Sequence, residues 1–117
     1  AVDCLALCRF TGFALSEEYY SRMLSAVTGV EYTENEFISI GEKIWNIERI
    51  FNNRAGFTKE DDRLPKRLLE EPVREGPAKG KVCRLDEMLP LYYKARGWDD
   101  EGAPMDHKIR ELGIENV

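Results

Sequence analysis

The most regular pattern of apolar and polar positions runs from Glu34 to Arg54. Apolar side chains recur there at spacings of three, four, three and four residues, at Phe37, Ile40, Ile44, Ile47 and Phe51. This period places them on one face of an amphipathic helix. Thr33, with Glu36 three residues further on, predicts a capping box at the start of this helix. Gly56 is suited to the turn that follows its end.

The remaining apolar and turn-forming positions predict several shorter helices. Ser16 and Gly29 bound a helix over Glu17–Thr28, whose apolar side chains are Tyr20, Met23, Leu24 and Val27. Caps, prolines and glycines delimit four more segments: Val2–Phe10, Pro65–Glu71, Asp86–Arg96 and Pro104–Leu112. Residues 72–81 are rich in Pro and Gly and are expected to form a loop. The sequence therefore predicts an all-α fold, a multihelical array of five or six helices with little or no sheet.

Composition excludes some classes of function but does not identify one. The 117 residues carry a net charge of −5, are expected to form one domain, residues 1–117, and show no basic footprint for nucleic acid. No apolar run reaches the ~20 residues that cross a membrane. Three cysteines without a secretory signal favour a reducing compartment, the cytoplasm. The opening at Ala1, within an apolar pattern and without Met, suggests a piece of a longer polypeptide.

Most residues that could carry chemistry have a simpler interpretation. Aromatic side chains at helical spacing are expected in the core rather than around a ligand. The acidic runs 60–62 and 99–101 lack the alternating ligands and the glycine of a calcium loop, so we expect solvated surface. His107, the single histidine, has no Ser or Cys motif beside it and is expected to be an exposed structural residue.

The cysteines leave two interpretations open. Cys4 and Cys8 are four residues apart, so on a helix they would share a face. Two thiolates complete neither a zinc site nor an iron–sulfur site, which needs four ligands. A buried, unreactive cysteine is equally ordinary. Cys83 stands apart, and no role is predicted for it.

The opening string as a whole resembles a known motif. Residues 3–13, DCLALCRFTGF, resemble the D-x-x-G-L-C motif of the tungsten-containing aldehyde ferredoxin oxidoreductases. The similarity continues in chain order over nearly the whole sequence. It includes MLSAVTG at 23–29, IGEKIWNIER at 40–49, FNNRAGF at 51–57, DDRLP at 61–65, LLEEP at 68–72, GPAKG at 76–80 and YYKARGW at 92–98.

The resemblance implies a fold and a function. Members of this family oxidise aldehydes to carboxylic acids with a tungstopterin, in which two pterins hold tungsten, and pass electrons through a [4Fe-4S] cluster to ferredoxin. An upstream C-x-x-C-x-x-x-C segment supplies three cluster cysteines. The resemblance makes Cys8 the fourth, Asp3 a pterin contact and Leu7 part of the same turn against the cofactor. The chain would then be the C-terminal helical domain, inactive without the N-terminal cofactor-binding part.

One position departs from the motif. Ala6 stands where the family has glycine, which allows a close backbone approach to the cofactor. If this backbone were helical, alanine would fit it well. Cys4 lies outside the family motif.

Two other functions remain as hypotheses. The first is a stand-alone acidic helical interaction module without catalysis, whose similarity to the oxidoreductases is an inherited scaffold. The second is a small thiol or metal protein that uses Cys4 and Cys8. The resemblance also predicts an exposed apolar patch around Val2, Leu5 and Phe10, where the missing part would pack.

Overall fold

A computed structural model describes all residues from 1 to 117 and confirms the all-α fold. Five α-helices follow one another: α1 (Glu17–Thr28), α2 (Glu34–Arg54), α3 (Lys66–Glu70), α4 (Leu85–Arg96) and α5 (Asp106–Leu112). Short 3-10 helices cover Val2–Leu5, Arg9–Phe13 and Lys59–Asp61. The only β-type pairing is an isolated bridge between Trp98 and Pro104. No helix is both long enough and apolar enough to cross a membrane.

Local signals explain where the two longest helices begin and end. Helix α2 has the predicted bounds, and its capping box forms: the Glu36 carboxylate accepts from the Thr33 N–H at 2.8 Å, and the Thr33 hydroxyl accepts from the Glu36 N–H at 3.2 Å. Helix α1 also has its predicted bounds and ends at Gly29, whose φ of 73° suits glycine. Ser16 precedes α1 but makes no side-chain cap.

The chain divides into two compact units. The first comprises Ala1–Glu48 and Arg110–Val117, and its core is aromatic. Tyr20 of α1 and Phe37 of α2 are each only 2% exposed, and their rings stack at 6.0 Å between centroids. Such a pair adds to the stabilisation from buried area.

The N-terminal segment differs from the predicted helix over Val2–Phe10. Two 3-10 helices replace it, separated by Ala6, whose φ of 55° and ψ of 27° are left-handed. A continuous helix cannot pass through such a residue. Cys4 and Cys8 therefore do not share a helical face, and the interpretation that grouped them is wrong.

Gly41 of α2 provides the space in which the start of the chain lies. A Cβ built on Gly41 would lie 2.8 Å from both the nitrogen and the Cβ of Ala1. We expect Gly41→Ala to push the N-terminal segment away from α2 and to destabilise it by about 1–3 kcal/mol. Limited proteolysis should then cut within residues 1–10 faster than in the native protein. Ser39→Ala, at an exposed position of the same helix, is the control and should leave the cleavage rate unchanged.

The second unit, Arg49–Ile109, is built around a buried arginine. The Arg49 side chain is 10% exposed and that of Asp62 is 25% exposed. Arg49 donates from Nη1 and Nη2 to the two Asp62 oxygens at 2.8 and 2.6 Å, and from Nε to the Gly102 carbonyl at 2.6 Å. Tyr93 donates to the same carboxylate, and the guanidinium lies 5.0 Å from the centre of the buried Trp98 ring.

This cluster corrects part of the prediction for the acidic runs. Asp62 was expected on solvated surface, yet it is held by Arg49 and Tyr93. Its neighbour Asp61 closes a capping box with Thr58. In the second run, Asp99 accepts from the backbone N–H groups of Glu101 and Ala103. These carboxylates organise loops of the second unit, because each accepts hydrogen bonds that the local backbone or a buried side chain offers.

Several apolar side chains predicted in the core are instead exposed. On α1, Met23 and Val27 lie on the surface, and Val27 is 86% exposed. On α2, the stripe is buried at Phe37 but exposed at Ile40 and Phe51. The buried apolar side chains number six: Tyr20, Phe37, Tyr93, Trp98, Leu112 and Ile114. This small core leaves a large apolar surface in contact with solvent.

Helices α3, α4 and α5 differ from prediction only at their ends. Helix α3 begins at Lys66, with Pro65 as its N-cap, and α5 begins at Asp106 rather than Pro104. In α4, Asp86 lies within the first turn, and Arg84 occupies the N-cap. Residues 72–81 form the predicted loop, which Val73 closes through backbone hydrogen bonds with Lys81 and Gly80. The loop glycines at 76 and 80 both have positive φ.

Candidate functional site

The segment from Asp3 to Cys8 carries the predicted site residues on an irregular backbone. Asp3 lies in the first 3-10 helix, and its carbonyl accepts from the Ala6 N–H at 3.1 Å. Ala6 turns the chain in a left-handed conformation, and Leu7 follows, half-buried. Cys8 has an extended backbone and is the N-cap of the second 3-10 helix. The turn is thus defined by main-chain bonds and by one residue in a rarely occupied conformation.

The two reactive side chains of this segment are open to solvent. The Cys8 thiol is free, and Cys8 and Asp3 are both exposed residues. No three His, Cys, Asp or Glu side chains converge in a way that could hold a metal ion. Within this chain, therefore, Cys8 and Asp3 are single contacts rather than a complete ligand set. Cys4 is also exposed and free, but it lies on the other side of the left-handed residue.

The left-handed backbone at Ala6 explains why the family motif has glycine there. Local propensity alone favours a helix, in which alanine is comfortable, but the positive φ observed at Ala6 costs an L-residue about 1–2 kcal/mol. We expect Ala6→Gly to stabilise the segment by about 0.5–1 kcal/mol, since glycine loses more entropy on folding but has no strain here. Thermal unfolding should show a higher midpoint. Ala14→Gly, at a negative φ of −120°, is the control and should lower it.

The main chain at Cys8 is fixed by a residue that the sequence analysis did not single out. The Cys8 carbonyl accepts from both the N–H of Thr11, at 3.0 Å, and its hydroxyl, at 2.7 Å. The Thr11 hydroxyl also meets the Tyr20 hydroxyl at 2.6 Å. A threonine three residues after the cysteine is a recognisable local turn signal. The contact to Tyr20 depends on how α1 folds back and has no such signal.

An exposed aromatic pair follows the cysteine. The rings of Phe10 and Phe13 stack at 5.8 Å and are 73% and 88% exposed. The patch predicted around Val2, Leu5 and Phe10 is therefore exposed at Phe10, whereas Val2 and Leu5 are half-buried. Phe10 and Phe13 thus form a contiguous exposed apolar pair rather than two scattered residues.

The other candidates lie apart from this segment in the chain. His107 is exposed on α5, as expected of a structural residue. Cys83 is half-buried after the 72–81 loop, and its N–H donates to the Leu68 carbonyl at 2.9 Å. The structure gathers neither of them with other groups that could bind a metal.

Comparison with known proteins assigns the chain to a family. The sequence model for "Aldehyde ferredoxin oxidoreductase, domains 2 & 3" matches residues 1–114. This chain belongs to the aldehyde ferredoxin oxidoreductase family. The resemblance seen in the motif residues therefore extends over residues 1–114.

Relatives within this family are named tungsten-containing aldehyde ferredoxin oxidoreductases. Those of Pyrococcus abyssi and Pyrococcus furiosus are each 50% identical to this chain over 97% of its length. The chain spans 19% of the length of each of these relatives. A more distant relative of Pyrococcus furiosus, 29% identical over 96% of the chain, is named "Aliphatic sulfonate oxidoreductase, WOR-like subunit".

A solved structure shares the fold of this part of the oxidoreductase family. The chain superposes with a TM-score of 0.67 on the active site complex BamBC of benzoyl coenzyme A reductase, at 22% identity. The match covers 86% of this chain and 14% of the other. At this identity the likeness establishes the arrangement of helices and leaves the chemistry of the two proteins separate.

Proposed function

We propose that this chain is the C-terminal helical part of an aldehyde ferredoxin oxidoreductase, working as a portion of a longer polypeptide. In this proposal Cys8 supplies one thiolate to a [4Fe-4S] cluster, and Asp3 accepts hydrogen bonds from a pterin. The observation that carries it is the motif from Asp3 to Cys8, whose thiol and carboxylate are both exposed in a chain of this family. Leu7 supports the turn between them.

The donor chemistry of the two residues suits the cofactors. A cysteine thiolate is the usual ligand of an iron–sulfur cluster, and an ionised carboxylate can accept two parallel donors from a pterin. The tungstopterin, when bound, supplies the oxidising centre, and the cluster carries electrons away from it. This chain's own part is to present Cys8 and Asp3 from a defined turn, while the three other cluster cysteines come from the N-terminal part.

The substrate and partners follow from the family and are part of the proposal. An aldehyde and a water molecule yield a carboxylic acid, two protons and two electrons, and ferredoxin accepts the electrons. Neither nucleic acid nor a membrane is an expected partner of an acidic chain. A reducing compartment, the cytoplasm, suits three free cysteines, one of them a cluster ligand.

The exposed apolar surface supports a larger assembly. Phe10 and Phe13 form a stacked exposed pair, and α1 presents a row of exposed apolar side chains at helical spacing, Tyr19, Met23 and Val27. We propose that the N-terminal part of the same polypeptide covers the Phe10–Phe13 pair beside Cys8. A stand-alone interaction module is a weaker hypothesis, because six buried apolar side chains are a small core for 117 residues.

The test is the activity and metal content of the native protein that contains this chain, purified without oxygen. We expect tungsten, about four iron atoms per polypeptide for one cluster, and reduction of ferredoxin that depends on an added aldehyde. Heat-treated protein is the control for non-enzymatic reduction. A native protein that lacks iron and tungsten and does not reduce ferredoxin with any of several aldehydes would overturn the proposal.

A further inference from the structure

The Cys8 main chain is tied to the core of the first unit by two hydroxyl groups. The Cys8 carbonyl accepts from the Thr11 hydroxyl at 2.7 Å and from the Thr11 N–H at 3.0 Å. The Thr11 hydroxyl then lies 2.6 Å from the Tyr20 hydroxyl. One threonine side chain therefore joins the proposed cluster cysteine to helix α1.

Proton counting gives this chain of bonds a direction. A hydroxyl carries one proton, and that of Thr11 is donated to the Cys8 carbonyl. The proton between the two hydroxyls must therefore come from Tyr20, which donates to Thr11. Successive bonds of this kind, all pointing the same way, strengthen one another. The order is Tyr20 to Thr11 to the Cys8 carbonyl.

The far end of the chain of bonds is rigid. Tyr20 is 2% exposed, and its ring stacks on Phe37 of α2 at 6.0 Å. Close packing restricts the ring of Tyr20, so its hydroxyl oxygen has a defined position beside Thr11. By contrast, Cys8 is exposed, so burial of its own side chain does not hold it in place. Its position depends on main-chain contacts, of which those from Thr11 are two.

We propose that Thr11 and Tyr20 are positioning residues for Cys8: they hold its carbonyl so that the thiolate is presented to the cluster in one direction. The inference rests on the proposed role of Cys8 as a cluster ligand. The Thr11 hydroxyl acts on the Cys8 backbone, and the Tyr20 hydroxyl acts through Thr11 rather than on the sulfur. Loss of the hydroxyls therefore increases the frequency with which the thiolate leaves the iron, while the cluster stays chemically the same.

The test uses the whole enzyme, purified without oxygen, with Thr11→Val, Thr11→Ser and Tyr20→Phe. The rate of iron release to a chelator is measured, together with the EPR spectrum of the reduced cluster. We expect iron release to be about five- to tenfold faster in Thr11→Val, because this is the change in rate that the loss of one hydrogen bond produces. Tyr20→Phe keeps the bond from Thr11 to Cys8 and should give a smaller increase, and Thr11→Ser should behave as the native enzyme.

Matched variants separate positioning from a loss of general stability. Thr28→Val removes a hydroxyl that donates to the Leu24 carbonyl at 2.8 Å, away from the cysteine. Ser25→Ala removes a part-buried hydroxyl that donates to the Ser21 carbonyl and accepts from the Tyr32 N–H. Neither should accelerate iron release. If Ser25→Ala accelerates it as much as Thr11→Val does, the effect is general destabilisation and the inference is wrong.

The outcomes also distinguish this inference from the proposed function. Native iron release in both Thr11→Val and Tyr20→Phe, with loss of the cluster in Cys8→Ser, would overturn the positioning role and leave the ligand role intact. A full complement of iron in Cys8→Ser would overturn the ligand role itself. If Thr11→Val does not accumulate as folded enzyme, Tyr20→Phe is compared instead with Tyr19→Phe, a change at an exposed tyrosine of α1.

Discussion

The Cys8→Ser variant of the whole enzyme is expected to lose its iron–sulfur cluster and more than about 100-fold of its ferredoxin-linked activity. Changes to residues that merely support a metal ligand already cost about 10–100-fold, and this change removes a ligand. A serine hydroxyl is a poor substitute because iron–sulfur clusters are held by thiolates. Iron analysis and the absorption of the cluster measure the first effect, and aldehyde-dependent ferredoxin reduction measures the second.

Cys4→Ser is the matched control for this experiment. Cys4 is exposed and free like Cys8, and it lies four residues away on the other side of Ala6. It has no place in the family motif, so its variant should keep the cluster and the activity. Equal iron in the two variants would contradict the assignment of Cys8, and loss of iron from Cys4→Ser alone would transfer the role to Cys4.

The second large effect is expected at the part-buried ion pair between Arg49 and Asp62 in the second unit. Asp62→Asn should destabilise this unit by about 3 kcal/mol, because it leaves the Arg49 guanidinium buried beside a neutral partner. The value is at the lower end for such pairs, since the Asp62 side chain is 25% exposed. Hydrogen exchange in the whole polypeptide measures it: amides of α4 should exchange about 100-fold faster. Glu60→Gln, from the exposed pair with Arg63, should change the rate little.

The same pair predicts how stability depends on pH. Burial alone would raise the pKa of Asp62, but hydrogen bonds from Arg49 and Tyr93 outweigh it and hold the pKa below its usual value. The stabilisation is therefore present above the unfolded pKa of about 3.9 and is lost as pH falls through the lower folded value. In acid, α4 of the native protein should lose its exchange protection over this range. In Asp62→Asn, the exchange protection of α4 should not show this dependence on acid pH.

The contribution of Tyr93 to the stability of the second unit has the opposite pH dependence and is lost at high pH. Burial and the bond to Asp62 raise the pKa of Tyr93 to about 12. The neutral phenol is therefore favoured by folding, and its contribution is complete below the unfolded pKa of about 10. It is lost as pH rises from there through the folded value. The second unit is thus most stable between the two transitions, where Asp62 is ionised and Tyr93 is neutral.

The helices could be predicted because their signals are local. The bounds of α1 and α2 follow from Gly29, from the Thr33–Glu36 capping box and from a regular apolar period. These signals lie within a few residues of the feature they specify. The turn at Ala6 could not be found in this way, since alanine favours a helix and here adopts a positive φ. The glycine of the family motif was the available signal for it.

The parts that sequence analysis missed depend on residues far apart in the chain. Arg49 and Gly102 meet although 53 positions separate them, and Asp62 was read as one member of a solvated acidic run. The site residues Asp3 and Cys8 were identified by resemblance to a family motif, and their roles stay predictions. The contact between Thr11 and Tyr20 required the folded position of α1. Burial was overestimated on α1 and α2, where Met23, Val27, Ile40 and Phe51 are exposed. An apolar stripe predicts that a helix face packs against something, but it does not identify the packing partner.

The size of the native polypeptide tests the central claim most directly. An antibody raised against this chain is applied to an anaerobic extract of the source cells, separated by mass under denaturing conditions. The chain has a mass of 13.5 kDa and spans 19% of the length of its relatives, so the account predicts one band about five times larger than 13.5 kDa. A single band near 13.5 kDa would contradict it, because Cys8 would then lack the rest of its cluster site within the same polypeptide.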